Sequence, residues 1–144
     1  CGAYFFYDPV HRAIGMAHAG WKGTYLRIGA RMAERMAEEY GTHPADIIAS
    51  TGPCICKDCF EVDEDLGAKF AAEFDQEGIT TPGKPGKAYV DLELAAAVQF
   101  IQAGIKPENI TLMNACTYED KNMFFSHRRD KGITGSMAAF IQLI

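Results

Sequence analysis

Hydrophobic and polar positions divide the chain into short segments whose periods alternate between those of strands and of helices. Tyr4 to Tyr7 is continuous and aromatic, Asp8-Pro9 has turn chemistry, and Ala13 to Ala17 is again apolar, which predicts a β-hairpin. From Thr24 to Tyr40, Leu26, Gly29, Ala30, Ala33, Met36, Ala37 and Tyr40 share one helical face. Arg27, Arg31, Glu34, Arg35, Glu38 and Glu39 cover the other, which predicts one amphipathic helix. Gly41 can take the left-handed conformation that ends it, and Pro44 prevents continuation.

Ile47 to Thr51 reads as a short buried strand leading into a Gly52-Pro53 turn. A second helix carries the stripe Leu66, Phe70 and Phe74, with Asp63, Glu64 and Asp65 where the positive end of the helix dipole favours acids. Gly78 to Lys87 is rich in Gly and Pro and reads as loop. Asp91 is placed to cap a third helix with Leu94, Val98 and Ile101 on its buried face, ended by Gly104. Ile110 to Met113 follows as a strand, and Met137 to Ile144 closes the chain as an apolar stretch. Strands alternating with helices predict an α/β protein, and the leading hairpin argues for a mixed sheet over a purely parallel one.

With 144 residues, nearly half of them hydrophobic, the chain suits one domain with a packed core. A net charge of -5 argues against charge-driven binding to nucleic acid. No apolar run approaches the roughly 20 residues a bilayer span needs, and no segment has the order of a signal peptide. A cytoplasmic protein with no membrane partner is expected. Cys1 stands where an initiator Met is usual, so the chain reads as the C-terminal, larger part of a longer single-domain protein.

Candidate chemistry begins with Cys1, at the start of the first strand, and His18, at the end of the second. Thiolate and imidazole are preferred ligands for zinc and copper, although a buried thiol and a packed histidine fit the same two residues. In Ala17-His18-Ala19-Gly20-Trp21-Lys22-Gly23 the glycines sit at a strand-to-helix junction, where backbone can approach a ligand closely or simply turn tightly. Lys22 reads either as an anion contact or as a solvated side chain.

His127-Arg128-Arg129 sets three donors in a row, and in a strand successive side chains would face opposite ways, leaving one arginine toward a site. A guanidinium offers paired donors to phosphate, and a structural ion pair uses the same geometry. Cys54, Cys56 and Cys59 crowd one loop without a fourth ligand nearby and are not counted as a zinc site. His11 and His43 fall in turn sequence and are expected to be exposed.

Taken together, Cys1 with its apolar strand, Asp8-Pro9 and Ala17 to Gly23 resemble the multicopper polyphenol oxidase (laccase-like, YfiH-type) family. Its members are also described as purine nucleoside phosphorylases and peptidoglycan editing factors. The resemblance continues in order through Gly52-Pro53 with Ile55, Cys59-Phe60-Glu61-Val62, Asp91-Leu92, Pro107-Glu108-Asn109-Ile110, Cys116-Thr117, Phe124 to Asp130 and Thr134-Gly135. It departs at Glu119, where the family often has a second Cys after Cys-Thr-Tyr.

The resemblance implies mixed β-sheets packed with helices in α/β/β/α layers, similar to the cytotoxic necrotising factor fold. It implies a zinc, alternatively copper, centre held by Cys1, His18 and a further His upstream, with Cys1 and His18 as catalytic residues. The implied activity is phosphorolysis of adenosine, inosine and methylthioadenosine, with adenosine deamination beside it. The small-molecule partners are then nucleoside and phosphate, and Lys22, Arg128 and Arg129 are the phosphate candidates. Copper-dependent polyphenol oxidation ranks lower, because four histidines are few for a multicopper centre. A cysteine-type hydrolase using Cys1 and His18, suited to editing peptidoglycan precursors, and a binding protein that has lost its site are the other readings.

Overall fold

The computed structural model describes all 144 residues. The hairpin is present and longer than its apolar core: β1 (Gly2–Asp8) pairs antiparallel with β2 (Ala13–Ala19) along seven residues. β1 also pairs antiparallel with β3 (Ile48–Thr51), which pairs parallel with β7 (Ile110–Thr111), giving a mixed sheet of order β2-β1-β3-β7. A second, antiparallel sheet has the order β4-β6-β5, from Glu61–Asp63, Lys87–Val90 and Thr80–Pro82. The loop expected from Gly78 to Lys87 therefore holds strand β5 and ends at the first residue of β6. Three residues ending in a proline carry too little periodicity to stand out from the glycines around them.

The single helix expected from Thr24 to Tyr40 is two. α1 (Trp21–Tyr25) and α2 (Ile28–Tyr40) are separated at Arg27, whose φ of 59° is left-handed. Tertiary contacts hold Arg27 in that strained state. Its guanidinium bonds the Glu73 carboxylate and carbonyl and the Gln102 amide oxygen, and lies 4.9 Å from the Phe74 ring centroid. The turned chain leaves Leu26 half exposed, while Gly29, Ala33 and Met36 keep the expected buried face. Gly41, at φ 69°, ends α2 as expected.

α3 (Glu64–Phe74) buries Phe70 and Phe74, and α4 (Leu92–Gln102) is capped by the Asp91 side chain, which accepts from the Leu94 N–H at 2.8 Å. The expected face of α4 is only partly buried: Leu94 and Val98 pack half-buried against the second core, and the fully buried residues lie beside them. Leu92, Ala95, Ala96, Gln99 and Phe100 are buried, while Ile101 is 48% exposed. The reason is that α4 serves two cores. Ala96 and Phe100 pack with Tyr4, Phe6 and Met36 under the mixed sheet, and Leu92 and Ala95 pack with Phe70, Phe74 and Val90 under the second. A helix apolar nearly all round has no period to read.

At the first core Phe100 meets Tyr4 and Phe6 edge-on, at 5.1 and 5.2 Å between ring centroids. Gly29 lets α2 come this close, since a Cβ there would stand 2.4 Å from the Phe100 ring. Beyond β7 the chain runs through turns without regular structure. Phe140 and Ile144 in the closing apolar stretch are exposed.

Candidate active site

The pleat of the hairpin decides which side chains can meet. Gly2, Tyr4, Phe6 and Asp8 are buried on one face, so Cys1, Ala3 and Phe5 point to the other. Ala3 lies directly opposite His18, which puts Cys1 one step along the same face, diagonal to His18. Gly20 stands opposite Cys1 and leaves room for its sulfur, because a Cβ there would be 3.2 Å from Sγ. Cys1 and His18 both line a cavity of about 990 Å³.

The rest of that cavity comes from distant parts of the chain. Phe5, Trp21 and Phe125 give it flat apolar surface, Gly52, Ile55 and Phe60 come from the loop after β3, and His127 and Arg128 from the turns near the C-terminus. Arg128 donates Nη1–H to the Glu61 carbonyl at 2.7 Å and lies over the Phe60 ring, 5.2 Å from its centroid. One donor is thus committed, and the remaining guanidinium N–H groups are not.

Arg129 is spent on structure. Its Nη1 bonds the carbonyls of Thr117 and Tyr118, Nη2 the carbonyl of Phe124 and the Asp130 carboxylate, and Nε the same carboxylate at 2.9 Å. Bonds from Arg129 and from the Thr134 hydroxyl hold Asp130 down at about 2. His127 to Asp130 forms turns and not the expected strand, so neighbouring side chains do not alternate between faces. Lys22 sits exposed in α1 and is not among the cavity residues. Of the expected residues, the cavity gathers Cys1, His18 and Arg128, adds His127 and the rings of Phe5, Trp21, Phe60, Phe125 and Phe140, and leaves out Lys22 and Arg129.

His43 is exposed and accepts the Ala45 N–H at its ring. His11 is exposed too, but its Nδ1 bonds the fully buried Asp8 at 2.8 Å. Burial works to raise the Asp8 carboxyl, yet hydrogen bonds from the His11 ring and from the N–H groups of Val10 and His11 help hold it at about 2.

The loop cysteines separate into two kinds. Cys54 is a free thiol whose backbone pairs parallel with that of Cys116, and burial pushes the thiol up to about 11. Cys56 and Cys59 meet Cys116 and Glu119, and the four donor atoms lie within 4.8 Å of one another, a grouping able to hold a metal ion. Cys54 is not one of the four, and the two ligands missing nearby in sequence, Cys116 and Glu119, arrive from 60 residues away. Burial raises the thiols of Cys56 and Cys59, whereas backbone N–H groups of Cys56, Tyr118 and Glu119 outweigh burial at Cys116 and lower it. The readable signal was a spacing: Cys56-x-x-Cys59 repeated as Cys116-x-x-Glu119.

The donor chemistry of Cys1 and His18 suits zinc or copper, and Gly20 leaves the sulfur free to approach a ligand. Catalytic zinc commonly takes three protein donors, of which these are two.

A two-sheet α/β protein with a thiol, an imidazole and a guanidinium in one aromatic-lined cavity is the class that fold and site define. The chain belongs to the multi-copper polyphenol oxidoreductase laccase family, whose model matches residues 1–144. It is 37% identical over 142 residues to purine nucleoside phosphorylase YlmD of Bacillus subtilis, covering 98% of this chain and 51% of that protein. With purine nucleoside phosphorylase LACC1 of Homo sapiens it shares 33% identity over 147 residues, 99% of this chain and 34% of that protein. Among solved structures, YlmD from Geobacillus stearothermophilus superposes with a TM-score of 0.87 at 32% identity, covering 94% of this chain and 51% of that one. The hypothetical protein YfiH of Bacillus licheniformis gives 0.85 at 36%, covering 92% and 50%. The chain thus spans about half the length of the curated bacterial relatives it matches first. No helix is long and apolar enough to cross a membrane.

Proposed function

We propose that this chain carries the working face of a purine nucleoside phosphorylase, acting on adenosine, inosine and methylthioadenosine, with adenosine deamination as a side activity. The observation that carries the reading is one cavity holding Cys1, His18 and Arg128 together with the rings of Phe5, Trp21 and Phe125. Flat apolar surface suits a purine, and a guanidinium suits phosphate. The relatives named as purine nucleoside phosphorylases support the same assignment.

In phosphorolysis a phosphate oxygen bonds to the ribose C1′ as the C1′–N9 bond breaks. The electron pair goes to the purine, which then takes a proton. Arg128, fixed by its bond to Glu61 and its contact with Phe60, presents its remaining N–H groups to the phosphate and stabilises the charge it carries. Cys1 and His18 would hold the metal, zinc or alternatively copper, as two of its protein donors. Bound zinc would supply Lewis acidity, which can polarise a phosphoryl oxygen for phosphorolysis and activate water for deamination. A ligating His18 is not free to protonate the departing base, so His127, on the same cavity, is our choice for that proton. Lys22 and Arg129 then act outside the chemistry, Arg129 by holding the turns that carry Arg128.

The test is turnover of inosine by the full-length protein and by its His18→Ala and His127→Ala variants, with phosphate present. Loss in His18→Ala at every pH, and in His127→Ala a loss with a changed pH profile, are expected. Undiminished turnover in His18→Ala rejects the metal reading, and would leave Cys1 as a hydrolase nucleophile to be tried with peptidoglycan precursors.

A further inference from the structure

A second cluster of metal-binding side chains lies outside the cavity, and the proposed phosphorolysis makes no use of it. Cys56 and Cys59 flank a tight turn in which the N–H groups of Cys59 and Phe60 both return to the Cys56 carbonyl, at 3.1 and 3.0 Å. Cys116 and Glu119 flank another, where Asp120 N–H returns to the Cys116 carbonyl at 3.2 Å. The two turns are locked side by side. Cys54 N–H donates to the Ala115 carbonyl, Thr117 N–H donates to the Cys54 carbonyl, and Cys56 N–H donates to Cys116 Sγ at 3.3 Å.

We propose that Cys56, Cys59, Cys116 and Glu119 form a closed, four-ligand zinc site that clamps the two loops forming the rear wall of the cavity. Two Cys-x-x-ligand turns meeting face to face is the layout that encloses a tetrahedral ion, since each turn offers two donors on one side. With zinc–sulfur bonds of about 2.3 Å and a zinc–oxygen bond near 2.1 Å, a tetrahedral sulfur–oxygen edge is about 3.6 Å. Cys59 Sγ and Glu119 Oε1 already stand 3.6 Å apart. The widest donor pair, at up to 4.8 Å, must contract by about 1 Å when the ion binds, a shift that side-chain rotation supplies.

Three thiolates with one carboxylate favour zinc. Cu(I) prefers sulfur alone, an iron–sulfur cluster wants a fourth cysteine, and magnesium or calcium would want oxygen. All four positions come from the protein, so the ion leaves no place for substrate and its role is structural. The clamp reaches the cavity through its neighbours. Ile55 and Phe60 flank the first turn, Thr117 lies in the second, and all three line the cavity wall. Arg129, bonded to the Thr117 and Tyr118 carbonyls, passes the constraint on to the segment carrying Arg128.

The test measures zinc in the full-length protein, purified reduced, and in three variants. The Cys1→Ser/His18→Ala double variant is expected to keep one equivalent of zinc, and after exchange for cobalt(II) to show strong thiolate-to-cobalt charge-transfer absorption. Cys116→Ser should lose that equivalent. Because Cys116→Ser could fail to fold, the exposed Glu119 provides the second route: Glu119→Ala should bind zinc at least about tenfold more weakly with its fold intact, and Glu119→Cys more tightly. A double variant free of zinc and without the cobalt band overturns the proposal. So does Glu119→Ala with unchanged zinc affinity. None of these outcomes depends on nucleoside turnover.

Discussion

Cys1 Sγ lies 3.2 Å from the point where a Cβ on Gly20 would stand, so the residue that follows β2 beside Cys1 has no side chain and the sulfur occupies its space. Gly20 has ordinary extended backbone, with φ -77°, so its glycine is not needed for conformation. Gly20→Ala should therefore keep the fold and displace the thiol by a few tenths of an ångström. The expected result is a melting temperature near that of the parent protein with kcat/KM for inosine reduced about tenfold, as small misplacements of reacting groups cost. Equal kcat/KM would show that the position of Cys1 does not matter.

Gly29 is a different case. A Cβ there meets the Phe100 ring at 2.4 Å and Gln99 Oε1 at 2.8 Å, and the Gly29 N–H donates to that same oxygen at 2.8 Å. Gly29→Ala should separate α2 from α4 and cost about 1–3 kcal/mol, by overpacking and by weakening a buried hydrogen bond. Urea unfolding with unchanged m-value checks this.

Acid stability should depend on Asp8. Its folded-state carboxyl is lowered from 3.8 to about 2, so the stabilisation is full above the ordinary value and is lost as the pH falls from about 4 toward 2. Asp8→Asn should cost about 1–3 kcal/mol at neutral pH, by losing charge-assisted bonds to the N–H groups of Val10 and His11, and should flatten the fall in stability over that window. Thermal melts of the two proteins between pH 2 and pH 6, a range of about two units on either side of the ordinary carboxylate value, measure it.

Adjacent arginines should behave differently. Arg128→Ala is expected to raise KM for phosphate about tenfold or more with little change in melting temperature. Arg129→Ala removes bonds to three carbonyls and the Asp130 carboxylate, and should lower the melting temperature before it alters KM. Steady-state kinetics beside thermal melts separate the two.

The contrast between these arginines also marks how far the sequence can be read. The hairpin, the capped start of α4 and the Gly41 end of α2 follow from local pattern and turn chemistry, so they were legible. So was the placing of Cys1 and His18 on one face of the hairpin, because strand alternation fixes faces once the register is known. Arg27 breaks a helix for partners at Glu73 and Gln102, and α4 turns between two cores; both are decided by tertiary contacts that no window contains. Arg128 and Arg129 differ only through what the turn places near each. The Cys56, Cys59, Cys116 and Glu119 cluster was hidden because its halves lie 60 residues apart, although each half carries the same three-residue step.

The central claim, phosphate-dependent cleavage of a purine nucleoside in this cavity, is tested most directly by product analysis. The full-length protein is given inosine, with and without phosphate, and hypoxanthine and ribose 1-phosphate are both quantified. The account predicts equal amounts of the two products, none without phosphate, and loss of both in Arg128→Ala at low phosphate. Hypoxanthine released without phosphate, or copper-dependent dioxygen uptake with a polyphenol and no release of base, would contradict it.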